Sequence, residues 1–217
     1  MSIPANASEA PSIAKVWQQV KDNAPTFATI WGIILITALI YSALIYSAIL
    51  FTGSLGPVVL LHSLLLRRIL SSLLEILITA VPAIYYTTDR CPKPGEIVGI
   101  LTRKPLRYVL SVFLFAIVEI VGLLLCIIPG ILVSLTTPLY VYYVFTTDLE
   151  LTNCLSKSFK GIFQDSGYLV VSLLCGLAVI ASILLCFFPC LVVLPMTALY
   201  MQNYIHYKGL VRARELA

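Results

Sequence analysis

Between Asp22 and Arg67 the chain runs 44 residues without a charged side chain. A second interval, between Arg107 and Asp148, covers 40 residues interrupted only by Glu119, and a third of 42 residues separates Asp165 from Lys208. One bilayer crossing takes roughly 20 apolar helical residues, so each interval is about two crossings long. A single helix over the third interval would be about 63 Å long at about 1.5 Å per residue, twice what a bilayer needs. Each interval must therefore fold back on itself. Composition agrees: 60% of the 217 residues are hydrophobic, 11% are charged and the mean hydropathy is +1.00. Soluble domains carry about 25% charged residues. The chain reads as an all-α, polytopic integral membrane protein, a single membrane domain over 1–217 with no room for a second, soluble one.

The fold-back points come from a phrase written twice, "LLLCIIPGILV" at 123–133 and "ILLCFFPCLVV" at 183–193. Pro129-Gly130 lies at the middle of 108–147 and Pro189 at the middle of 166–207. Proline removes a backbone donor and clashes with the preceding turn, so both sites predict hairpin turns. The expected helices are 108–127 and 131–147, then 168–187 and 191–207. At an offset of 60, Tyr108 matches Tyr168, Cys126 matches Cys186, Pro129 matches Pro189, and Thr137 and Tyr140 match Thr197 and Tyr200. Each unit holds two crossings, which makes this a parallel internal repeat rather than an inverted one. Earlier in the chain, 27–51 is one crossing, followed by the breaker "GSLGP" at 53–57. Beyond it lies either a short interfacial helix over 58–68 with a crossing at 69–87, or one long tilted helix from 58. The first is preferred, because Arg67 and Arg68 at membrane depth would be costly. The expected total is six transmembrane helices in three hairpins.

With six crossings, both termini and the loops 88–107 and 148–167 share one side. That side carries 12 of the 14 Lys and Arg residues, which places it in the cytoplasm. Tyrosines at 85, 86, 108, 168, 204 and 207 would form an aromatic belt at that boundary. The first 26 residues are polar, so no secretory signal is expected there. Within them Ile13, Val16, Trp17 and Val20 follow Ser12, a candidate N-cap, at helical spacing, which predicts an amphipathic helix on the membrane surface. A similar helix is expected over 148–163, with an apolar face of Leu151, Leu155, Phe159, Ile162 and Phe163. A more basic one follows Pro94-Gly95 through Ile97, Ile100 and Leu101. The tail 208–217 is cytoplasmic on this reading.

The order of these segments resembles the glycerophosphoryl diester phosphodiesterase membrane-domain family and its small stand-alone bacterial relatives. The matching pieces are Ile128-Pro129-Gly130-Ile131, Ser158-Phe159-Lys160-Gly161 and Leu194-Pro195, and the likeness covers about 12–208. Some relatives fuse this domain to a phosphodiesterase, whose carboxylate and histidine cluster has no counterpart here. The resemblance implies a membrane module in a bacterium or related organelle, expected in a bacterial inner membrane or an equivalent internal, thylakoid-type membrane. The expectation that it is non-enzymatic rests separately on the lack of a recognisable nucleophile and base.

Glu75 and Glu119 are the only acids within the expected spans, at similar depth on consecutive helices, and form the candidate intramembrane polar site. Their alternative role is a protonated, hydrogen-bonded packing pair. Arg90, Lys93, Arg103, Lys104 and Arg107 are candidate lipid-headgroup contacts, although topology alone accounts for their charge. The six cysteines, at 91, 126, 154, 175, 186 and 190, contain no Cys-x-x-Cys and no neighbouring ligands for a metal; they read as packing residues. Cys91 and Cys154 should stay reduced. His62 and His206 are isolated, one near each membrane face. No catalytic or nucleotide-binding motif occurs, so no cofactor and no metal is expected. The +4 charge belongs to topology and implies no nucleic-acid partner. The expected partners are membrane lipids and another membrane protein or complex. The weaker alternative is a small transporter or channel built on Glu75 and Glu119; broken half-helices, which such a site would use, are not evident in the sequence.

Overall fold

The structure, a computed structural model, describes residues 9–52, 72, 76–88, 93–185 and 187–211. Among these residues every regular element is helical. Two helices, Pro105–Leu125 and Ser166–Leu185, are long and apolar enough to cross a membrane. Ile128–Leu135 and Thr137–Thr146, bent by 41° at their junction, make a third span if they are one broken crossing. The segment 58–68, Arg67, Arg68, Glu75, Arg90, Cys91, Cys186 and His62 lie outside the described residues.

The N-terminal amphipathic helix forms as its sequence predicts. Ser12 is extended (φ −134°, ψ 148°) and its hydroxyl accepts from the Lys15 N–H at 3.2 Å, opening α1 (Ile13–Asp22). Of the expected apolar stripe, Val16 and Val20 are buried, together with Gln19, while Ile13 is 73% exposed and Trp17 half-exposed. Asn23 ends the helix through its side-chain amide, which donates to the Gln19 carbonyl at 2.7 Å. Then α2 (Ala24–Thr52) runs for 29 residues, about 43 Å at about 1.5 Å per residue. Phe27 and Ile30 are buried at its start, and further along Leu35, Ile36, Leu39, Ile40 and Leu50 are exposed. Next comes α3 (Ile76–Thr88), most of whose side chains are buried. In α4 (Pro94–Arg103), proline occupies the first turn, and the Glu96 carboxylate accepts from the Lys93 N–H at 3.1 Å.

Cys126 alone joins α5 (Pro105–Leu125) to α6 (Ile127–Leu135), with an extended backbone (φ −175°, ψ 155°). The two arms pair along their length: Gly122 lies against Gly130, Ser134 donates to Glu119, Tyr140 to the Ser111 carbonyl, Arg107 to the Val144 carbonyl, and Lys104 to Asp148. Every pair is centred within a residue of Cys126. The chain thus reverses three residues before the expected turn, and Pro129 is instead the third residue of α6. The first N–H groups of a helix have no intrahelical acceptor, so proline loses nothing there. Gly130 serves close approach rather than a turn: an added Cβ would lie 3.1 Å from the Leu123 Cα.

The expected single helix 131–147 is broken. α6 ends at Leu135, and α7 (Thr137–Thr146) begins with Pro138 in its first turn. Pro138 cannot donate to the Ser134 carbonyl, and the Thr137 hydroxyl does so instead at 2.7 Å. From α9 (Ser166–Leu185), the Tyr168 hydroxyl and Ser172 Oγ reach the Leu135 carbonyl at 3.0 and 3.4 Å. The kink therefore has a proline and side-chain insertion as its causes.

Next, α8 (Leu151–Gln164) docks on α7 through a small-residue face. Cys154, Ser158, Gly161 and Ile162 are buried, and a Cβ on Gly161 would lie 2.8 Å from Leu139 Cδ1. The expected face of larger residues is only half-buried at Leu151, Leu155 and Phe159, and Phe163 is exposed. The last hairpin is α9 (Ser166–Leu185) with α10 (Phe187–Tyr207), Pro189 again being the third residue of the returning helix. One core joins α3 and α5 to α10 around Phe115, Tyr140, Tyr142 and Tyr168. A second joins α1, α2, α3 and α10 around Val16, Phe27, Ile78, Tyr86 and Leu199.

Candidate functional site

One end of the bundle gathers most of the chemistry. There α5 begins, α3, α7 and α10 end, and α1 and α8 pack across them. The basic residues at this end divide into two kinds. Arg107 is not held out for a headgroup: its Nε donates to the Val144 carbonyl at 3.3 Å, Nη1 to Leu149 at 2.7 Å and Nη2 to Thr147 at 2.9 Å. Those carbonyls close α7 and lead into α8, where a cation also complements the helix dipole. Lys104 pairs with Asp148, whose carboxyl is held below its ordinary range by that hydrogen bond and charge. Lys93 and Arg103 are exposed. Three further lysines stand 5.8 Å from aromatic centroids: Lys21 over Trp17, Lys157 over Tyr143 and Lys208 over Tyr204.

Cys154 lies beside Arg107 Nη2 at 3.9 Å, yet burial pushes its thiol up more strongly than the guanidinium lowers it. It stays a protonated packing residue. Cys190 is buried as well, while Cys126 is exposed at its tip. Among the described residues, no group of three or more His, Cys, Asp or Glu side chains is placed to hold a metal.

Glu119 is 3% exposed, and its Oε1 accepts from Ser134 Oγ at 2.8 Å. The pair bridges α5 and α6 two residues before the α6–α7 break, so a broken helix does adjoin the carboxylate. Glu75 itself is outside the described residues. Ile76, the next residue in the chain, packs in the same core as Phe115 and Val133, each within four residues of one member of the Glu119–Ser134 pair.

Sequence reading missed a second polar group. His206 is not an isolated interfacial imidazole: its ring lies 5.7 Å from that of Tyr86 and 5.4 Å from that of Tyr142. Gln202 and Asn203 are both fully buried on the same helix. Gln202 Nε2 donates to the Pro138 carbonyl at 2.7 Å, one turn before the Tyr142–His206 contact. The Tyr86 hydroxyl donates to Gln19 Oε1 at 2.9 Å, which ties α1 to the same spot. The available signal was "QN" followed by His206 at helical spacing inside a charge-free interval, because polar side chains in such helices face the bundle interior. Compared with known protein families, curated proteins and solved structures, this chain matches none.

Proposed function

We propose that this protein is a non-enzymatic, six-span membrane module, related to the glycerophosphoryl diester phosphodiesterase membrane-domain family, that binds a partner membrane protein or organises lipid at its cytoplasmic face. On this reading three hairpins, the last two forming a parallel repeat, stand with both termini in the cytoplasm of a bacterial or thylakoid-type membrane. The helix bounds support the repeat: α5 and α9 end at Leu125 and Leu185, and α6 and α10 start at Ile127 and Phe187. The carrying observation is the end of the bundle where α1 and α8 are locked onto α10 and α7. Ile13, Trp17 and Phe163 stay exposed beside Lys21, Lys157 and Lys160 there. Such a rigid rim of apolar and basic groups suits a headgroup layer or a partner's juxtamembrane helix. Lys93 and Arg103, with Arg90, are the headgroup contacts on this reading.

Gentle extraction from native membranes, followed by native electrophoresis and mass spectrometry, tests it. Reproducible co-migration with one larger complex, lost when Trp17 and Phe163 are replaced by serine, is the expected result. A lone species in every detergent would refute partner binding. A transporter is the second reading, favoured by the buried Glu119–Ser134 pair beside the α6–α7 break. Glu75→Gln and Glu119→Gln would each abolish proton or cation flux in proteoliposomes on that reading and leave the partner complex intact.

A further inference from the structure

Four polar atoms near the end of α10 meet no partner within the protein. They are Gln202 Oε1, both amide atoms of Asn203, and His206 Nε2, each buried. At about 3.6 residues per turn the three residues fall on an arc of about 100°, with His206 between the two amides. Tyr142 of α7 and Tyr86 of α3 flank the imidazole, and α1 closes the region through Gln19 and the Tyr86 hydroxyl. Exchanging the oxygen and nitrogen of either amide changes which atom donates, not that the atoms are left over. A buried polar atom without a partner costs roughly 1–3 kcal/mol, and the great majority of such groups are satisfied by protein or by ordered water. Several on adjacent turns of one helix mark a place built around an occupant.

We propose that Gln202, Asn203 and His206 form a binding site for a small uncharged molecule carrying hydroxyl or carboxamide groups. The set offers carbonyl acceptors, an NH2 donor and an imidazole nitrogen, so its occupant must both donate and accept hydrogen bonds. Gln19, Tyr86, Tyr142, Gln202, Asn203 and His206 include no carboxylate, ammonium or guanidinium. An ionic ligand would be desolvated there with no opposite charge to meet it. Only His206 is an ordinary metal ligand. The two tyrosine rings give the occupant apolar walls, as small-molecule sites usually have.

The site goes beyond the partner-binding reading and is tested on the purified full chain with no partner present. Glycerol, as the hydroxyl probe, and acetamide, as the carboxamide probe, are titrated while tryptophan emission is followed, Trp17 lying on the helix that carries Gln19. A saturable change with at least one probe is expected, weakened tenfold or more in both Asn203→Leu and His206→Phe. If Asn203→Leu does not fold, Asn203→Ser and His206→Phe carry the same comparison. A response that rises linearly and equally in native protein and variants is a solvent effect and overturns the proposal. So does a saturable response that the variants leave unchanged, since the site is then elsewhere. No response to either probe also overturns it, and leaves ordered water as the occupant.

Discussion

The α5–α6–α7 and α9–α10 hairpins use nearly the same words and are held together differently. Counted 60 residues on, Gly122 and Gly130 become Ser182 and Cys190, both buried. The first tip closes until the backbones touch, whereas the second must leave room for two side chains. At the open ends Arg107 is replaced by Gly167 and Val144 by Tyr204. The first end is clamped by a guanidinium on three carbonyls, the second by the Tyr204 hydroxyl donating to Asp165 at 3.1 Å. The returning arms also differ. The first breaks by 41° before Pro138, while α10 continues through Pro195. Both prolines strip a carbonyl of its donor. Thr137 satisfies the one at Ser134 from within the helix, and the Trp31 indole of α2 satisfies the one at Leu191 at 3.1 Å. A proline is absorbed or becomes a break according to which substitute donors the neighbouring helices supply.

The sharpest way to break this comparison is at the open end. Arg107→Leu should strip the carbonyls of Val144, Thr147 and Leu149 at once, costing about 3 kcal/mol for charged-group hydrogen bonds. Thermal unfolding in detergent would show it, and Arg107→Lys should recover only part, because an ammonium lacks the planar fork. Exchanging tip residues comes next. Gly130→Cys should cost about 1–3 kcal/mol by overpacking against Leu123, while Cys190→Gly should cost about 1 kcal/mol through helix propensity. Equal losses would show that the tips close alike. Single hydrogen-bond deletions rank third: Tyr168→Phe, which frees the Leu135 carbonyl of the first hairpin, and Trp31→Phe, which frees the Leu191 carbonyl of the second, should each cost about 1 kcal/mol. The smallest effect belongs to the exposed Lys104–Asp148 pair. The Asp148 carboxyl is depressed on folding, so any stabilisation is complete above the ordinary aspartate range and fades as pH falls through the folded value. Lys104→Ala should leave the midpoint at neutral pH within error, since exposed ion pairs contribute little.

Much of the helical organisation was legible because bilayer thickness and charge placement act on the chain directly. The interval lengths require fold-backs, and both returns lie within three residues of the expected positions. The reversals were misplaced because a proline three residues into a helix and a proline in a turn look alike in sequence; only the extended Cys126 distinguishes them in the first hairpin. The break before Pro138 was missed for a related reason. Proline in an apolar run does not announce whether Tyr168 and Ser172, some thirty residues later, will meet the exposed Leu135 carbonyl.

The candidate sites divide in the same way. Glu119 stood out because a carboxylate in a membrane-length apolar interval is costly wherever it points. Gln202, Asn203 and His206 did not, since uncharged polar residues near a helix end fit a headgroup boundary equally well. Arg107 looked like one more positive-inside charge until the α7–α8 connection folded beneath it.

Sequence alone determined what acts through the solvent: the apolar helices, the fold-back of the two later charge-free intervals and the capped amphipathic α1. Tertiary structure decided what acts through neighbours: which face of each nearly all-apolar helix turns inward, which carbonyls are met by distant side chains, and which polar groups end up buried together. A helix that is apolar all round carries no 3.6-residue signal to orient it, so its inward face is chosen by packing, glycine by glycine and hydroxyl by carbonyl.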